Sequence, residues 1–494
     1  MSQDSNTFAA DSTGNLLSCI PNIALKIPAC QRICGTTWTT YQDAAPRLMT
    51  WLVPVLILLA NLQYTAIGKG RFLVALHLLG DPIDSMWSLL SKVETWRQCY
   101  EGREGRSRND VVITAGIEEL IETLNLDFHS AQIRLILQDI LVRPSLQLVD
   151  LDDPGVNAAS ELADCRVNQP VRTWASIVLY LIQVTAAFVP ELGQASTPSG
   201  GRIGTAMLLS WLLPIVLLSN AVGDFTSRRA FLRIMLNFME QIERRGCHRL
   251  SEPSRDLLAA LHEVDEKYFR SLAWSGAIYT YRPNKLHSRT AVKGCNTPSL
   301  AVLSAIPVIL AFVTAFVALY TKPTYLNCRH FLVVSVLVAW LLSPLLTWTI
   351  GTHFSQQRQW YFVLAKDTFL AFPIMALVIG SSCGLFNSCH CWSGVYTLGT
   401  RNAAVYLTDL PQFDRYVHVN YPAIVGTCLG LQIGVFLLIR WTYWRRGFSL
   451  LNWSEEEKEA AFLRRKLQGA TRMRDLKTTE SFEMGYFCWD SSYV

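Results

Sequence analysis

Long apolar stretches separated by polar segments dominate this chain and set its architecture. Seven of them approach the roughly 20 residues that an α-helix needs to cross a bilayer. They are Leu48–Ala66, Trp174–Val189, Ile203–Val222, Leu300–Tyr320, Phe331–Thr352, Thr368–Phe386 and Tyr421–Trp444. The pattern predicts an all-α, polytopic membrane helix bundle with about seven transmembrane helices.

Two long segments between these stretches show amphipathic periodicity. In residues 67–173, apolar residues recur at helical spacing at Ile113, Ile117, Leu120, Ile121 and Leu124, and again at Ile133, Ile136, Leu137, Ile140 and Leu141. In residues 226–298 they recur at Phe231, Ile234, Met235, Phe238 and Ile242, and after Pro253 at Leu257, Leu258 and Leu261. Such faces pack against each other, so we expect one small helical domain from both segments. The acidic stretch 150–164 contains Pro and Gly and is predicted to be a loose connector.

The distribution of charge supports the membrane class and orients the bundle. Only 17% of the residues are charged, compared with about 25% in globular domains. With the N-terminus outside, the outer segments hold eight of the 44 Lys and Arg residues, as the excess of cytosolic positive charge requires. The predicted topology is N-out and C-in. Its segments are an outer tail 1–47, a first span 48–66, a cytosolic loop 67–173, a span pair 174–225, a cytosolic loop 226–298, four spans within 299–444 with an outer loop 387–420, and a partly disordered cytosolic tail 445–494.

Seven of the 13 cysteines fall in the predicted outer segments, where an oxidising environment allows disulfides. They are Cys19, Cys30, Cys34, Cys328, Cys383, Cys389 and Cys391. We expect disulfides rather than a metal site, because no second ligand pair stands at zinc-site spacing. Seven is an odd number, so at least one of these cysteines stays free or pairs between chains.

The stretch 77–94, HLLGDPIDSMWSLLSKVE, carries His77, Asp81 and Asp84 directly after the first span. Ionisable residues near a bilayer are candidates for function because the membrane penalises them. One hypothesis makes this stretch a re-entrant element that enters the membrane at Gly80-Asp81-Pro82. The other, favoured because each arm is short, is an interfacial helix-turn-helix. A metal site at His77, Asp81 and Asp84 is a further alternative, which needs ligands from elsewhere.

Lys366 and Asp367 form a second candidate pair for function. They would be buried if the sixth span began before them and interfacial if it began after them. The sequence favours the interfacial position, because Thr368–Phe386 is long enough on its own. With these bounds the span centres contain no Asp, Glu, Lys or Arg, which argues against a carrier that uses a buried carboxylate.

Gly426, Gly430 and Gly434 recur at four-residue spacing in the seventh span. They predict a smooth face for close helix packing, either within this chain or with another chain. The sequence contains no HExxH, P-loop or GxGxxG motif. It therefore predicts no catalytic residue and no cofactor.

Three short runs resemble segments of multi-span membrane proteins of filamentous fungi that have no assigned activity. The runs are HLLGDPIDSMWSLL from His77, SNAVGDFTSRR from Ser219 and WSGAIYTYRP from Trp274. The likeness extends over most of the membrane part in scattered motifs. It implies a shared architecture and brings no catalytic residue.

These patterns favour a non-enzymatic sensor or scaffold with a cytosolic docking domain. One alternative is a transporter or channel with 77–94 as a re-entrant element, and a second is a membrane-embedded, metal-dependent lipid enzyme. The expected partners are the lipid bilayer and a cytosolic protein, with no nucleic acid. Span lengths near 20 residues suit the plasma membrane and internal membranes alike, and the sequence leaves the oligomeric state open.

Overall fold

The structure is a computed structural model built mainly of helices. It describes residues 7–9, 23–28, 44–62, 69–101, 108–124, 126, 128, 130–142, 154–167, 170–193, 200–225, 228–245, 250–263, 297–320, 326–354, 356–383, 395–406, 419–443 and 463. Runs of good helix formers and apolar residues fill these segments. The predicted helical class is confirmed.

Sixteen α-helices are present in the described residues. They are α1 Ala44–Ala60, α2 Lys69–Gly80, α3 Pro82–Glu101, α4 Arg108–Leu124, α5 Ser130–Leu137, α6 Pro154–Asp164, α7 Pro170–Gly193, α8 Gly200–Leu208, α9 Leu212–Val222, α10 Arg228–Arg245, α11 Glu252–His262, α12 Thr297–Leu319, α13 Cys328–His353, α14 Gln356–Cys383, α15 Val395–Asn402 and α16 Tyr421–Tyr443. A π-helical turn, Gln138–Val142, extends α5.

Short strands form two small antiparallel sheets. The strands are β1 Thr7–Ala9, β2 Ile23–Lys26, β3 Arg166–Val167, β4 Asp224–Phe225 and β5 Ala404–Tyr406. One sheet has the order β1-β2-β5, and the other pairs β3 with β4. Each sheet therefore joins segments that are far apart in the sequence.

Among the described residues, five helical stretches are long and apolar enough to cross a membrane. These candidate spans are Ile203–Val222, Ser299–Leu319, Cys328–Ile350, Tyr361–Ser381 and Tyr421–Tyr443. The first of them is the central helix of the bundle, because 83% of it is buried, against 28–33% of the other four. Those four present large apolar side chains such as Phe369 and Trp441 to the outside. Such faces suit contact with lipid tails.

The first two predicted spans have shorter apolar stretches than expected. They are Trp51–Ala60 within α1 and Thr173–Ile182 within α7. Helix α1 ends at Ala60 rather than continuing to residue 66, and the Asn61 side chain donates to the Ile57 carbonyl at 2.8 Å. Residues 63–66 lie outside the described residues.

The central span is interrupted between α8 and α9. The N–H groups of Ser210, Leu212 and Leu213 bond to carbonyls only three residues earlier, which tightens the helix there. Pro214, which has no N–H to donate, follows directly. The span ends at Gly223, whose φ of 63° suits a residue without a side chain and turns the chain into β4.

A second core joins the two amphipathic segments into one helical domain. It contains α4, α5, α6, α10 and α11, with apolar residues such as Ile117, Ile133, Met235 and Leu257 in contact. The prediction of a loose connector at 150–164 is wrong for Pro154–Asp164, which forms α6. Helix α6 begins with a proline, which suits a first helical position, and its apolar positions at 158, 159 and 162 form one face in this core.

Asp139 fastens the two segments of the helical domain to each other. It lies in the π-helical turn and is 3% exposed. Its Oδ2 accepts hydrogen bonds from the Ser251 N–H at 2.9 Å, the Ser254 hydroxyl at 2.8 Å and the Ser251 hydroxyl. These donors lie at the start of α11, so a carboxylate from one segment caps a helix of the other.

We expect Asp139→Ala to destabilise the domain by about 1–3 kcal/mol, because it leaves these buried donors without an acceptor. Thermal unfolding of the purified protein measures this loss. Asp256→Ala, an exposed position on α11, is the control and should change stability by less than about 0.5 kcal/mol. Equal effects from both variants would show that the cap contributes no stability.

Candidate functional site

The site begins at the break between α2 and α3, where the sequence reads Gly80-Asp81-Pro82. Asp81 is the N-cap of α3, because its Oδ1 accepts a hydrogen bond from the Asp84 N–H at 3.1 Å. Pro82 occupies the first helical position, where its missing N–H is not needed. One carboxylate oxygen of Asp81 therefore accepts a bond from α3, and the other oxygen can accept bonds from other helices.

The break is held tightly against two candidate spans. Gly80 lies on the backbone of Asp367 in α14, and a Cβ added there would be 2.5 Å from the Asp367 carbonyl oxygen. From α13, Trp340 donates its indole N–H to the Leu79 carbonyl at 3.0 Å. This bond satisfies a carbonyl at the end of α2 that the helix itself leaves unpaired.

Asp81 Oδ2 is the centre of a hydrogen-bonded group. It accepts from the hydroxyls of Ser343 at 2.7 Å and Thr347 at 3.0 Å, both on α13. It also accepts from the Lys366 ammonium of α14 at 2.6 Å. Lys366 donates in turn to the Ser343 and Thr347 hydroxyls at 2.7 Å each. A charge-assisted contact of this kind is among the stronger hydrogen bonds in proteins.

His77 lies between two carboxylates on the other side of the break. Its Nδ1 is 2.6 Å from Asp367 Oδ2, and its Nε2 is 3.4 Å from Asp84 Oδ2. Asp367 Oδ1 is 2.8 Å from the Lys366 ammonium, an ionic contact whose geometry is not that of a hydrogen bond. We call His77, Asp81, Asp84, Lys366 and Asp367 the ionic cluster.

The ionic cluster is removed from solvent, and Lys366 is its most accessible member with 7% of its side chain exposed. His77 and Asp84 belong to helices outside the five candidate spans. Burial, reinforced by the Asp81 carboxylate, raises the pKa of Asp84 to about 7. Burial alone would lower the pKa of His77, but the Asp367, Asp84 and Asp81 carboxylates together raise that pKa above its ordinary value.

All five charged residues selected from the sequence meet at this one point. The favoured start of the sixth span, after Lys366 and Asp367, differs from the structure, in which the candidate span begins at Tyr361 and contains both residues, which are buried. Both residues lie in the first third of that span, and its remaining residues contain no Asp, Glu, Lys or Arg. Lys366 and Asp367 are tolerated there because α2 and α3 bring them partners of opposite charge.

The apolar faces of α2 and α3 pack against the candidate spans. Helix α2 packs on α14, and α3 packs on α9, α12 and α13. Leu78, Met86, Leu89 and Leu90 belong to the same buried core as the spans. The favoured interfacial helix-turn-helix, with its faces on the membrane surface or the helical domain, does not describe these contacts.

Three residues of the site were missed by sequence reasoning. Ser343 and Thr347 stand four residues apart on one face of α13, and Trp340 lies one turn before Ser343. Uncharged hydroxyls in a span typically form hydrogen bonds between helices, and nothing local indicates that the partner here is a carboxylate. The spacing of the two hydroxyls was the available signal.

The third hypothesis required His77, Asp81 and Asp84 to bind a metal. The Lys366 ammonium occupies the position beside Asp81 Oδ2 where a cation would bind. In the part of the chain that the structure describes, no group of three or more His, Cys, Asp or Glu side chains could hold a metal ion.

Helix α3 connects the ionic cluster to the helical domain. Its first turn carries Asp84, and its later part packs on α4 of the helical domain. Lys92 on α3 is 3.4 Å from Glu119 on α4. Twenty residues of uninterrupted helix span about 30 Å, so one rigid element contacts both the cluster and the domain.

An uncharged polar group surrounds the interruption of the central span. Gln432 of α16 donates to the Pro307 carbonyl at 2.8 Å and to the Ser210 hydroxyl at 3.4 Å. The Ser210 hydroxyl also lies 3.4 Å from the Cys428 sulfur. These bonds join the interruption itself to α12 and α16.

The glycine face and the cysteines complete the predicted set. A Cβ added at Gly426, Gly430 or Gly434 would meet nothing within 4 Å, so this face is not packed against another described part of the chain.

Cys328 is disulfide-bonded, in line with its predicted outer position. The expected disulfide at Cys383 is wrong, because Cys383 is a free thiol. Five candidates lie outside the described residues: Cys19, Cys30, Cys34, Cys389 and Cys391.

No family model, no curated protein and no solved structure matches this chain.

Proposed function

We propose that this protein is a multi-pass membrane protein of the sensing or scaffolding type, in which the ionic cluster sets the position of a cytosolic helical domain that docks a protein partner. The observation that carries the proposal is the course of α3, which starts in the ionic cluster and packs on α4. A change in the cluster moves the N-terminus of α3, and the rigid helix transmits that movement to the domain.

A topology with seven spans and an outer N-terminus is supported by contacts between distant segments. The sheet β1-β2-β5 joins the tail 1–47 to the loop 387–420, which both fall outside in this topology. The β3–β4 pair and the bond from Ser251 to Asp139 join the two loops that fall inside. Helices α1 and α7 then serve as the first two spans. The resemblance to multi-span proteins of filamentous fungi stays a prediction and concerns architecture only.

In this topology the ionic cluster lies inside the membrane near its cytosolic face. Lys366 comes five residues after Tyr361, where the candidate span begins, so it lies about 8 Å along the helix. Residues 77–84 then enter the bundle from the cytosolic side. This placement favours the re-entrant hypothesis, since irregular backbone at membrane depth is tolerated when it is buried in protein.

The test uses Thr347→Val, which keeps the volume of the side chain and removes the hydroxyl shared by Asp81 and Lys366. We expect amide hydrogen exchange in α4 and α11 to be roughly fivefold faster, the factor for one lost hydrogen bond of about 1 kcal/mol. The measurement is hydrogen–deuterium exchange on the full chain in lipid nanodiscs.

The control is Ser335→Ala on the same helix. The Ser335 hydroxyl is exposed and donates only within its helix, to the Leu332 carbonyl at 2.8 Å. It should leave exchange in the helical domain unchanged. If Thr347→Val also leaves it unchanged, α3 does not link the cluster to the domain and the proposal fails.

A transporter or channel is the second candidate, and the interrupted central span favours it. Interrupted helices that meet uncharged polar side chains, as at Ser210 and Gln432, are common at transport sites. Proton or cation flux in reconstituted vesicles distinguishes the two functions. Flux that Thr347→Val changes, with domain exchange unaltered, would favour transport over sensing.

A further inference from the structure

We propose that the ionic cluster is a binding site for one exchangeable proton, held on the Asp84 carboxyl group. The inference rests on the proposed function and names the signal that the cluster senses. The reaction is a simple exchange in which the protonated carboxyl gives its proton to water and becomes a carboxylate. Binding reverses this step and needs no further reactant.

The cluster contains more acidic than basic groups, and this imbalance requires such a proton. The cluster contains the carboxyl groups of Asp81, Asp84 and Asp367 but only the ammonium of Lys366 and the imidazole of His77 as cations. With every group ionised it carries one negative charge in excess. An uncompensated charge removed from water is strongly unfavourable, so one carboxyl group takes up a proton.

Asp84 is the carboxyl group that accepts this proton because its side chain has the weakest partners. Asp81 accepts bonds from Lys366, Ser343, Thr347 and its own helix. Asp367 is in contact with both cations. Asp84 is 1% exposed, and its Oδ2 accepts no hydrogen bond from any described residue. Its distance of 3.4 Å from His77 Nε2 is too long for a good hydrogen bond.

The helices around Asp84 bring no other titratable group to balance it. Helix α2 contributes His77, α14 contributes Lys366 and Asp367, and α3 itself contributes Asp81. Helices α9 and α12, which pack on α3, contain no Asp, Glu, Lys, Arg or His. Helix α13 presents the hydroxyls of Ser343 and Thr347. No ionisable group of α4 or α16 is among those that shift the pKa of Asp84.

Loss of the proton changes the forces on the first turn of α3. A charged Asp84 repels Asp81, which lies one turn away at the N-cap, and attracts the imidazolium of His77. Both forces act on the junction between α2 and α3. The link from α3 to α4 then carries the change to the helical domain.

Infrared spectroscopy of the full chain in nanodiscs tests the proton site. The wild-type protein should show a carbonyl band of a buried carboxylic acid at pH 5 that is lost by pH 9, with a midpoint near pH 7. Asp84→Asn should abolish the band, and Asp84→Glu should shift the midpoint. Asp256→Asn, at an exposed position of α11, should change neither.

The outcomes separate the two proposals. A titrating band that survives in a folded Asp84→Asn variant would overturn the proton site and leave the proposed function intact. Loss of the band in Asp84→Asn, together with unchanged domain exchange in Thr347→Val, would keep the proton site and overturn the coupling. If Asp84→Asn does not fold, an unshifted midpoint in Asp84→Glu would overturn the proton site by itself.

Discussion

Lys366→Met is expected to destabilise the folded protein by about 3–5 kcal/mol, the range for removing one partner of a buried ion pair. The ammonium is the contact that Asp81 and Asp367 share, at 2.6 and 2.8 Å. Methionine has a similar shape and no charge, so the variant leaves Asp81 without a cation and Asp367 with His77 alone, while packing is preserved. Thermal unfolding in detergent, with domain exchange as a second measurement, records the loss.

Arg244→Met is the control for Lys366→Met. Arg244 makes an ion pair with Glu240 at 3.0 Å, but 77% of its side chain is exposed. Such surface pairs contribute about 0.3–0.5 kcal/mol. A loss for Lys366→Met no larger than this would show that the cluster does not stabilise the bundle.

A double variant identifies the source of the loss. Adding Asp81→Asn to Lys366→Met removes the charge that the single variant leaves without a cation. We expect the double variant to be more stable than the sum of the two single effects by about 0.5–3 kcal/mol. Strict additivity would mean that Lys366 and Asp81 do not act on each other.

The fold could be predicted where one local property decides the structure. Stretches such as Ser299–Leu319 are helical because the bilayer demands internally bonded backbone, and their length and composition alone identify them. The connector at 150–164 was misjudged because Pro154 was read as a break, whereas it starts α6. The interruption at Ser210 lies beside Pro214, which the sequence shows. It also involves contacts with α16, and no local pattern reveals those contacts.

The candidate site could be predicted in its members but not in its arrangement. His77, Asp81 and Asp84 were recognisable because charge in apolar surroundings is rare without a function. Their partners Lys366 and Asp367 lie far along the chain. The His77–Asp367 contact joins residues that are 290 positions apart. The remaining stretch Thr368–Phe386 was long enough to form a span without them. Only the tertiary contact shows that the pair is compensated and so can be buried.

Gly80→Ala is a second variant of the site with a large expected effect. The added methyl group would lie 2.5 Å from the Asp367 carbonyl oxygen and 2.9 Å from its Cα, both part of the α14 backbone. Backbone within a packed helix cannot rotate away as a side chain can. The junction must therefore move outward, and we expect a loss of about 1–3 kcal/mol in unfolding free energy, typical of overpacking.

Gly426→Ala is the matched control for Gly80→Ala, because it makes the same change in a helix where the new Cβ meets nothing within 4 Å. Alanine is the better helix former by up to about 1 kcal/mol, so this variant should be neutral or slightly stabilised. Equal stability of the two variants would contradict the close contact of Gly80 with α14.

Movement of the junction also separates Asp81 from Thr347, so Thr347→Val should add little to the domain exchange of Gly80→Ala. Fully additive effects would show that Gly80 and Thr347 act on the domain by separate routes.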